Sequence, residues 1–348
     1  MTPDKRHLAV YAIFSALALA APILAPAYQT QMAVLWMMIV LALTWDILGG
    51  QMGYNSFGNI VFFGVGMYAT AVIQRNLFFN VEEYATVAGG VESQLAPLQY
   101  LGGLGLGLLI GALVCVTLAA VLGAGVLGLR GHYFAICTLG LGIAAGELAN
   151  GWDYVGAGSG LVTPLFPDEL GARGGFFYYY FMALAAATFF TLKWIYAGRF
   201  GLAINAIRDD EDKAEAMGLR TTRYKTIAWC FAAFFLALAG GAFGNLVGFI
   251  DPLDVAFAGP TFGVWMVLMA ILGGKGTIWG PVLGAAIFHI TQELFWTYLL
   301  GWQRVALGLL IVVIVVFFPR GIIGWFKERW PERFGRRVEP TDSEGETA

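Results

Sequence analysis

Charged residues are scarce in this sequence. Asp, Glu, Lys and Arg together make up 12% of its 348 residues, while 59% are hydrophobic. Soluble domains carry about 25% charged and about 45–50% apolar residues. That shortage excludes a chain that hides its apolar side chains in one water-facing core, so lipid must solvate part of the surface. The formal net charge of −3 points to neither a nucleic-acid binder nor a basic membrane-surface protein. Cysteine is thin too. Cys115, Cys137 and Cys230 sit in apolar stretches with no CxxC or Cys/His spacing, and read as buried thiols rather than a metal or redox site. The three histidines, His7, His132 and His289, form no HExxH and no triad spacing, which argues against an enzyme.

A nucleotide site is missing as well. A Walker A loop needs Gly-x-x-x-x-Gly-Lys-Ser/Thr, because backbone amides cradle the phosphates and the hydroxyl holds magnesium. In Gly273-Gly274-Lys275-Gly276-Thr277, Gly276 stands where Ser or Thr is required, and Met269 stands where the first glycine belongs. The segment reads as a tight turn with one interfacial lysine. The chain is expected to bind no cofactor and to hydrolyse no ATP.

What is present is a series of apolar runs. A helix needs about 20 mostly apolar residues to cross a bilayer. The candidates are Leu8–Ala25, Met32–Leu48, Phe57–Ile73, the core of Leu95–Leu129, Tyr133–Ala149, Phe176–Ile195, Thr226–Ile250, Thr261–Leu272, Ile278–Leu299 and Val305–Phe318. The fold class is therefore an all-α integral membrane protein of about ten transmembrane helices, with the eighth and tenth short. The 47 glycines suit close helix packing in lipid. With the N-terminus inside, 17 of the 20 lysines and arginines lie on the cytoplasmic side, leaving Arg75, Arg173 and Arg304 outside. Both termini are expected in the cytoplasm. Lys5, Arg6 and the Ala25-Pro26-Ala27 site leave a cleaved signal peptide as an alternative for the first span. Residues 1–320 form the membrane domain, and 321–348 a polar cytoplasmic tail, partly disordered.

The longest cytoplasmic loop, Gly198–Thr226, carries a pattern of its own. Asp209–Met217 predicts a short helix, capped by Asp209 or Asp210 and stopped at Gly218. Glu211 and Glu215 share one face; Asp212 and Ala216 share the next. So short a helix is unstable alone in water and needs a partner surface. An ordinary solvated loop is the plainer alternative.

Glu215-Ala216-Met217-Gly218 resembles the EAA loop of binding-protein-dependent ABC importers, departing from it in having Met217 for alanine and glycine immediately after. The longer runs Arg199-Phe200-Gly201, Ala206-Ile207-Arg208-Asp209-Asp210-Glu211, Ala214–Gly218 and Thr222-Arg223-Tyr224-Lys225 closely resemble the cytoplasmic loop of branched-chain amino acid ABC permeases of the LivM type. Leu272–Ala285, Leu129–Gly140 and Gly156–Leu161 are similar to other stretches of that family, in family order. The resemblance implies an inner-membrane permease that works with a second homologous permease, one or two cytoplasmic ATPase subunits holding ATP and magnesium, and a periplasmic binding protein that selects the substrate. It implies ATPase coupling through Arg208, Asp209, Asp210, Glu211, Ala214, Glu215, Ala216 and Gly218. Branched-chain or related hydrophobic amino acids are the implied cargo, and urea or short amides the alternative within the family.

Small and mildly polar residues are candidates for the translocation path: Asn55, Ser56, Asn59, Thr138, Gly140 and Gly142. The alternative role for such glycines is helix packing. Asp46, Glu147, His289 and Glu293 are the intramembrane ionisable residues to weigh for an ion-coupled secondary transporter. His289 and Glu293, four apart, could hydrogen-bond or form a structural polar pair. A non-transporting membrane scaffold is the third reading.

Overall fold

A computed structural model describes residues 17–78, 95–298 and 321–329, with five positions between 302 and 312. Helical residues 17–24 and a 3₁₀ turn at Pro26–Tyr28 lead into α1 (Gln29–Gly49). Then follow α2 (Asn59–Leu77), α3 (Pro97–Val126), α4 (Gly131–Asn150) and α5 (Arg173–Ala197). Two short helices, α6 (Arg199–Asp209) and α7 (Glu211–Ala216), precede α8 (Thr221–Val247). The chain ends through α9 (Val264–Gly273), α10 (Gly280–Tyr298) and α11 (Gly321–Arg329).

Among the described residues, seven helices are long and apolar enough to cross a membrane. They are α1 to α5, α8 and the wound segment Pro252–Gly273 that contains α9. The expected first span lies largely outside the described residues, as do the tenth span and the tail beyond 329. The expected seventh span, Thr226–Ile250, begins five residues earlier, at Thr221, and ends at Val247. The expected eighth, Thr261–Leu272, is the regular half of a longer unit. Its first half, Pro252–Ala256 and Gly259–Gly263, is wound as π-type turns, because Pro252, Pro260 and two glycines interrupt the helical bonding.

Lipid tails are as apolar as leucine, so apolar burial alone does not hold helices together in a membrane; close approach and interhelical hydrogen bonds do. Both are present. A Cβ on Gly66 would lie 2.4 Å from the Ala237 Cα, and one on Gly240 would lie 2.0 Å from the Phe63 oxygen, so α2 and α8 touch backbone to backbone. Gln74 Nε2 donates to Asn245 Oδ1 at 3.0 Å, and Asn245 Nδ2 returns a bond to Gln74 Oε1 at 2.9 Å. Tyr100 of α3 donates to the same Asn245 oxygen at 3.0 Å. Packing around α1 and α8 is densest: 78% and 72% of their apolar windows are buried, against 28% for α4. α4 therefore lies at the edge.

At one end, Gly248, in the left-handed region at φ 90°, closes α8, and an antiparallel ladder pairs β1 (Leu161–Val162) with β2 (Phe249–Ile250). At the other end, the α9–α10 hairpin folds back on itself. A Cβ on Gly273 would meet the Gly280 oxygen at 1.7 Å. The Gly276 N–H donates to Asp46 Oδ1 at 2.8 Å, tying the hairpin to the last turn of α1. The expected tight turn around Lys275 is therefore a packed corner. This end also holds residues 50–58, the start of α4 and all of α6 and α7.

Candidate functional site

Gly198, with extended backbone, ends α5, and Gly201 lets the chain turn sharply, since a Cβ there would lie 2.1 Å from the Tyr196 oxygen. α6 then lies with Ala203, Ile204 and Ile207 against the body and Leu202, Arg208 and Asp209 facing out. Asp210 breaks the helix with extended angles, and its Oδ1 accepts the Lys213 N–H at 3.0 Å, capping α7. The Lys213 side chain pairs with Asp210 Oδ2 at 2.9 Å. These bonds hold the Asp210 carboxyl below its ordinary range. Gly218 adopts φ +87°, and its N–H donates to the Glu215 oxygen at 2.9 Å, stopping the helix as expected. The expected helix Asp209–Met217 is thus shorter, running from Glu211 to Ala216, because Asp210 serves as cap and cannot also continue the helix.

The largest difference from the sequence expectation concerns Glu211. It faces inward. Its carboxylate accepts from Lys225 Nζ at 2.7 Å and from the Tyr54 hydroxyl, while Lys225 Nζ also donates to the Tyr54 oxygen at 3.1 Å. The Lys225 ammonium lies 4.4 Å from the centre of the Tyr54 ring, and Phe134 packs edge-on to that ring. Burial pushes the Glu211 carboxyl up, but the bonds from Lys225 and Tyr54 outweigh it and hold the group below its ordinary range. Burial and the neighbouring glutamate raise the Tyr54 hydroxyl well above its usual value. Ala214 is buried beside them.

Outside this pocket, Glu215 Oε1 accepts from Thr221 Oγ1 at 2.6 Å, and Glu215 Oε2 from Arg130 at 3.1 Å. Arg130 also bonds Asp212, and its Nε lies 3.7 Å from Glu211. The eight expected coupling residues therefore divide. Glu211 and Ala214 anchor; Glu215 bridges; Arg208, Asp209, Ala216 and Gly218 are exposed, with Asp210 as cap. Met217, beside them, is 84% exposed. Arg130, Tyr54, Thr221 and Lys225 complete the site. Sequence separation hid Tyr54, which lies 157 residues from Glu211, and Lys225 read as a loop cation within the run that resembles the permease family, with no partner assigned to it.

Four of the six candidate path residues, Ser56, Asn59, Thr138 and Gly142, lie where the start of α2 meets α4. Ser56 Oγ donates to Asn59 Oδ1 at 3.0 Å, which also accepts from Trp229 Nε1 at 3.0 Å. Thr138 Oγ1 accepts the Phe57 N–H at 3.1 Å. Asn55 and Gly140 are exposed. Gly142 alone of the six lines a cavity of about 340 Å³ between α2, α4 and the π-type turns, together with Ile60, Glu147, Asp254 and Phe257. His289 is buried in α10 with Nδ1 unpartnered among the described residues, so the expected pairing with Glu293 is not made through that atom. No group of three or more His, Cys, Asp or Glu among the described residues could hold a metal ion.

The chain is 27% identical over 323 residues to the high-affinity branched-chain amino acid transport system permease protein LivM of Salmonella typhimurium, covering 84% of this chain and 72% of the relative. The LivM protein of Escherichia coli is 27% identical over 324 residues, with the same coverage. Shorter matches include LivH of Escherichia coli, 33% identical over 133 residues, which span 38% of this chain and 42% of LivH. No solved structure matches. The model of the family described as "Branched-chain amino acid transport system / permease component" matches residues 28–317, so this multi-pass membrane chain belongs to that family of transport permeases.

Proposed function

We propose that this chain is the permease subunit of an ABC importer that carries branched-chain or related hydrophobic amino acids across the bacterial inner membrane. A periplasmic binding protein delivers the substrate, a second homologous permease completes the path, and separate ATPase subunits supply the energy. The two-part element α6–α7 carries the reading. Its inner face is fixed to the membrane helices by Glu211 and Lys225, and its tip presents Ala216, Met217 and Gly218 to solvent. A short helix held rigid on one side and left bare on the other is suited to seat in a groove on a soluble partner. Arg130, Arg208, Lys213, Arg220, Arg223 and Lys275 gather at this end, which fits a cytoplasmic placement. The cavity of about 340 Å³ beside Gly142, with Glu147 and Asp254 in its lining, is the place along α4 where cargo would pass.

The test co-expresses the chain with the partner permease and ATPases and captures the complex through a tag on this subunit. The wild type is expected to retain the ATPases. Met217→Asp together with Ala216→Lys, at two exposed positions that make no side-chain anchoring bond, are expected to lose them while the subunit stays folded in the membrane. Retention of the ATPases by that variant, or uptake that persists and collapses only with the proton gradient, contradicts the proposal. Ligand binding by the periplasmic partner distinguishes leucine-like amino acids from urea or short amides.

A further inference from the structure

We propose that Arg130 is the contact through which a docked ATPase moves α4, making α4 a movable wall of the cavity beside Gly142; this rests on the importer function proposed above. The α7 helix is tied to the membrane body at two places of very different stiffness. Through Glu211 it is tied to Lys225 in α8, one of the two most deeply packed helices. Through Asp212 and Glu215, and at 3.7 Å through Glu211, it is tied to Arg130, the residue immediately before α4. The α4 helix is the least buried of the seven crossing-length helices, at 28%.

Space lies on both flanks of α4. Leu139, Gly142 and Ile143 face the 340 Å³ cavity. Leu141, Ala145 and Leu148 face a nearly wholly apolar groove of about 480 Å³ against α2 and α3. Between Arg130 and the body of α4, Gly131 adopts φ +57° with no atom within 4 Å of a would-be Cβ. A displacement of α7 therefore meets resistance at α8 and little at α4. An arginine fork shared among three carboxylates keeps its attraction as the donors slide from one oxygen to the next, so the tie pulls without having to break. The element with open space on either side is the one that moves, and its movement changes the width of the cavity.

The test uses the assembled importer, with both permeases, the ATPases and the binding protein, in proteoliposomes. Arg130→Gln, Arg130→Lys and the wild type are compared for ATPase co-purification, stimulated ATP hydrolysis and leucine uptake. The expected result, read on the ATPase-bound fraction of each variant, is that uptake per ATP hydrolysed falls about tenfold in Arg130→Gln, the scale of one coupling contact. Arg130→Lys, which keeps the charge and loses the fork, recovers part of the ratio. An unchanged ratio in Arg130→Gln overturns the inference and leaves the importer function standing. Loss of the ATPases from that variant also overturns it, because Arg130 would then serve docking alone. A wild-type complex that fails to retain the ATPases overturns the importer function itself. A melting curve on each purified variant separates loss of fold from loss of coupling, and the lysine variant carries the test if the glutamine variant does not fold.

Discussion

Lys225 and Glu211 meet at 2.7 Å with their side chains 1% and 11% exposed, so α7 is held to α8 by an ion pair shielded from solvent. Such a pair adds little compared with two well-packed apolar side chains, yet removing one partner strands the other charge. Glu211→Ala is therefore expected to destabilise the subunit by about 3 kcal/mol, while Glu211→Leu with Lys225→Leu costs much less. Melting of the purified subunit in detergent, followed by tryptophan fluorescence, checks this. A double variant whose loss equals the summed losses of Glu211→Leu and Lys225→Leu would show that the two charges are not coupled.

Acid should loosen the same element. Glu211 and Asp210 both have carboxyl groups held below their ordinary values of 4.5 and 3.8. A depressed carboxylate contributes stability that is present above its unfolded value and is lost as pH falls through its folded value. Melting temperature is thus expected to be flat from neutrality down to about pH 5 and to drop below the ordinary carboxylate range. Glu211→Gln should start lower at neutral pH and fall less steeply in acid. A variant with the same acid slope as the wild type would remove Glu211 from the account.

The glycines sort by what a methyl group would meet. At Gly273 and Gly284 an added Cβ would lie 1.7 Å and 1.8 Å from the Gly280 and Met269 oxygens, so the α9–α10 hairpin cannot accept one without opening. Gly273→Ala is expected to cost about 3 kcal/mol, the upper range for overpacking, and to lower the yield of folded subunit. Gly140 has nothing within 4 Å, and Gly140→Ala should be neutral for folding. Folded yield by size-exclusion chromatography compares the two.

Long apolar runs made α1 to α5 and α8 legible, because twenty uncharged residues leave lipid little alternative to a helix. The segment before α9 was not legible. Asp254, Pro252 and Pro260 broke its pattern, and its turns are wound by backbone bonds that leave no periodic trace. In the loop between α5 and α8, the Asp210 cap and the Gly218 stop were readable, since both are local signals spanning a few residues. Glu211 was not, because its partners come from elsewhere in the fold. Lys225 is 14 residues away, and Tyr54 belongs to the connection between α1 and α2. Spacing rules for one helix cannot find a partner that only packing supplies.

The amide pair between Gln74 and Asn245 provides a parallel case inside the membrane. The two side chains exchange bonds at 3.0 Å and 2.9 Å, and Tyr100 adds a third bond to Asn245, so one asparagine links α2, α3 and α8. In lipid, hydrogen-bonded side chains of this kind contribute modestly when intact, and an unpaired buried amide costs more than the intact pair contributes. Asn245→Leu leaves the Gln74 amide and the Tyr100 hydroxyl without this partner and is expected to destabilise the subunit by about 2 kcal/mol. Adding Gln74→Leu should recover part of that loss, since leucine needs no partner. Thermal melts of the single and double variants decide it: a double variant less stable than Asn245→Leu alone would mean that Gln74 finds another partner once Asn245 is gone.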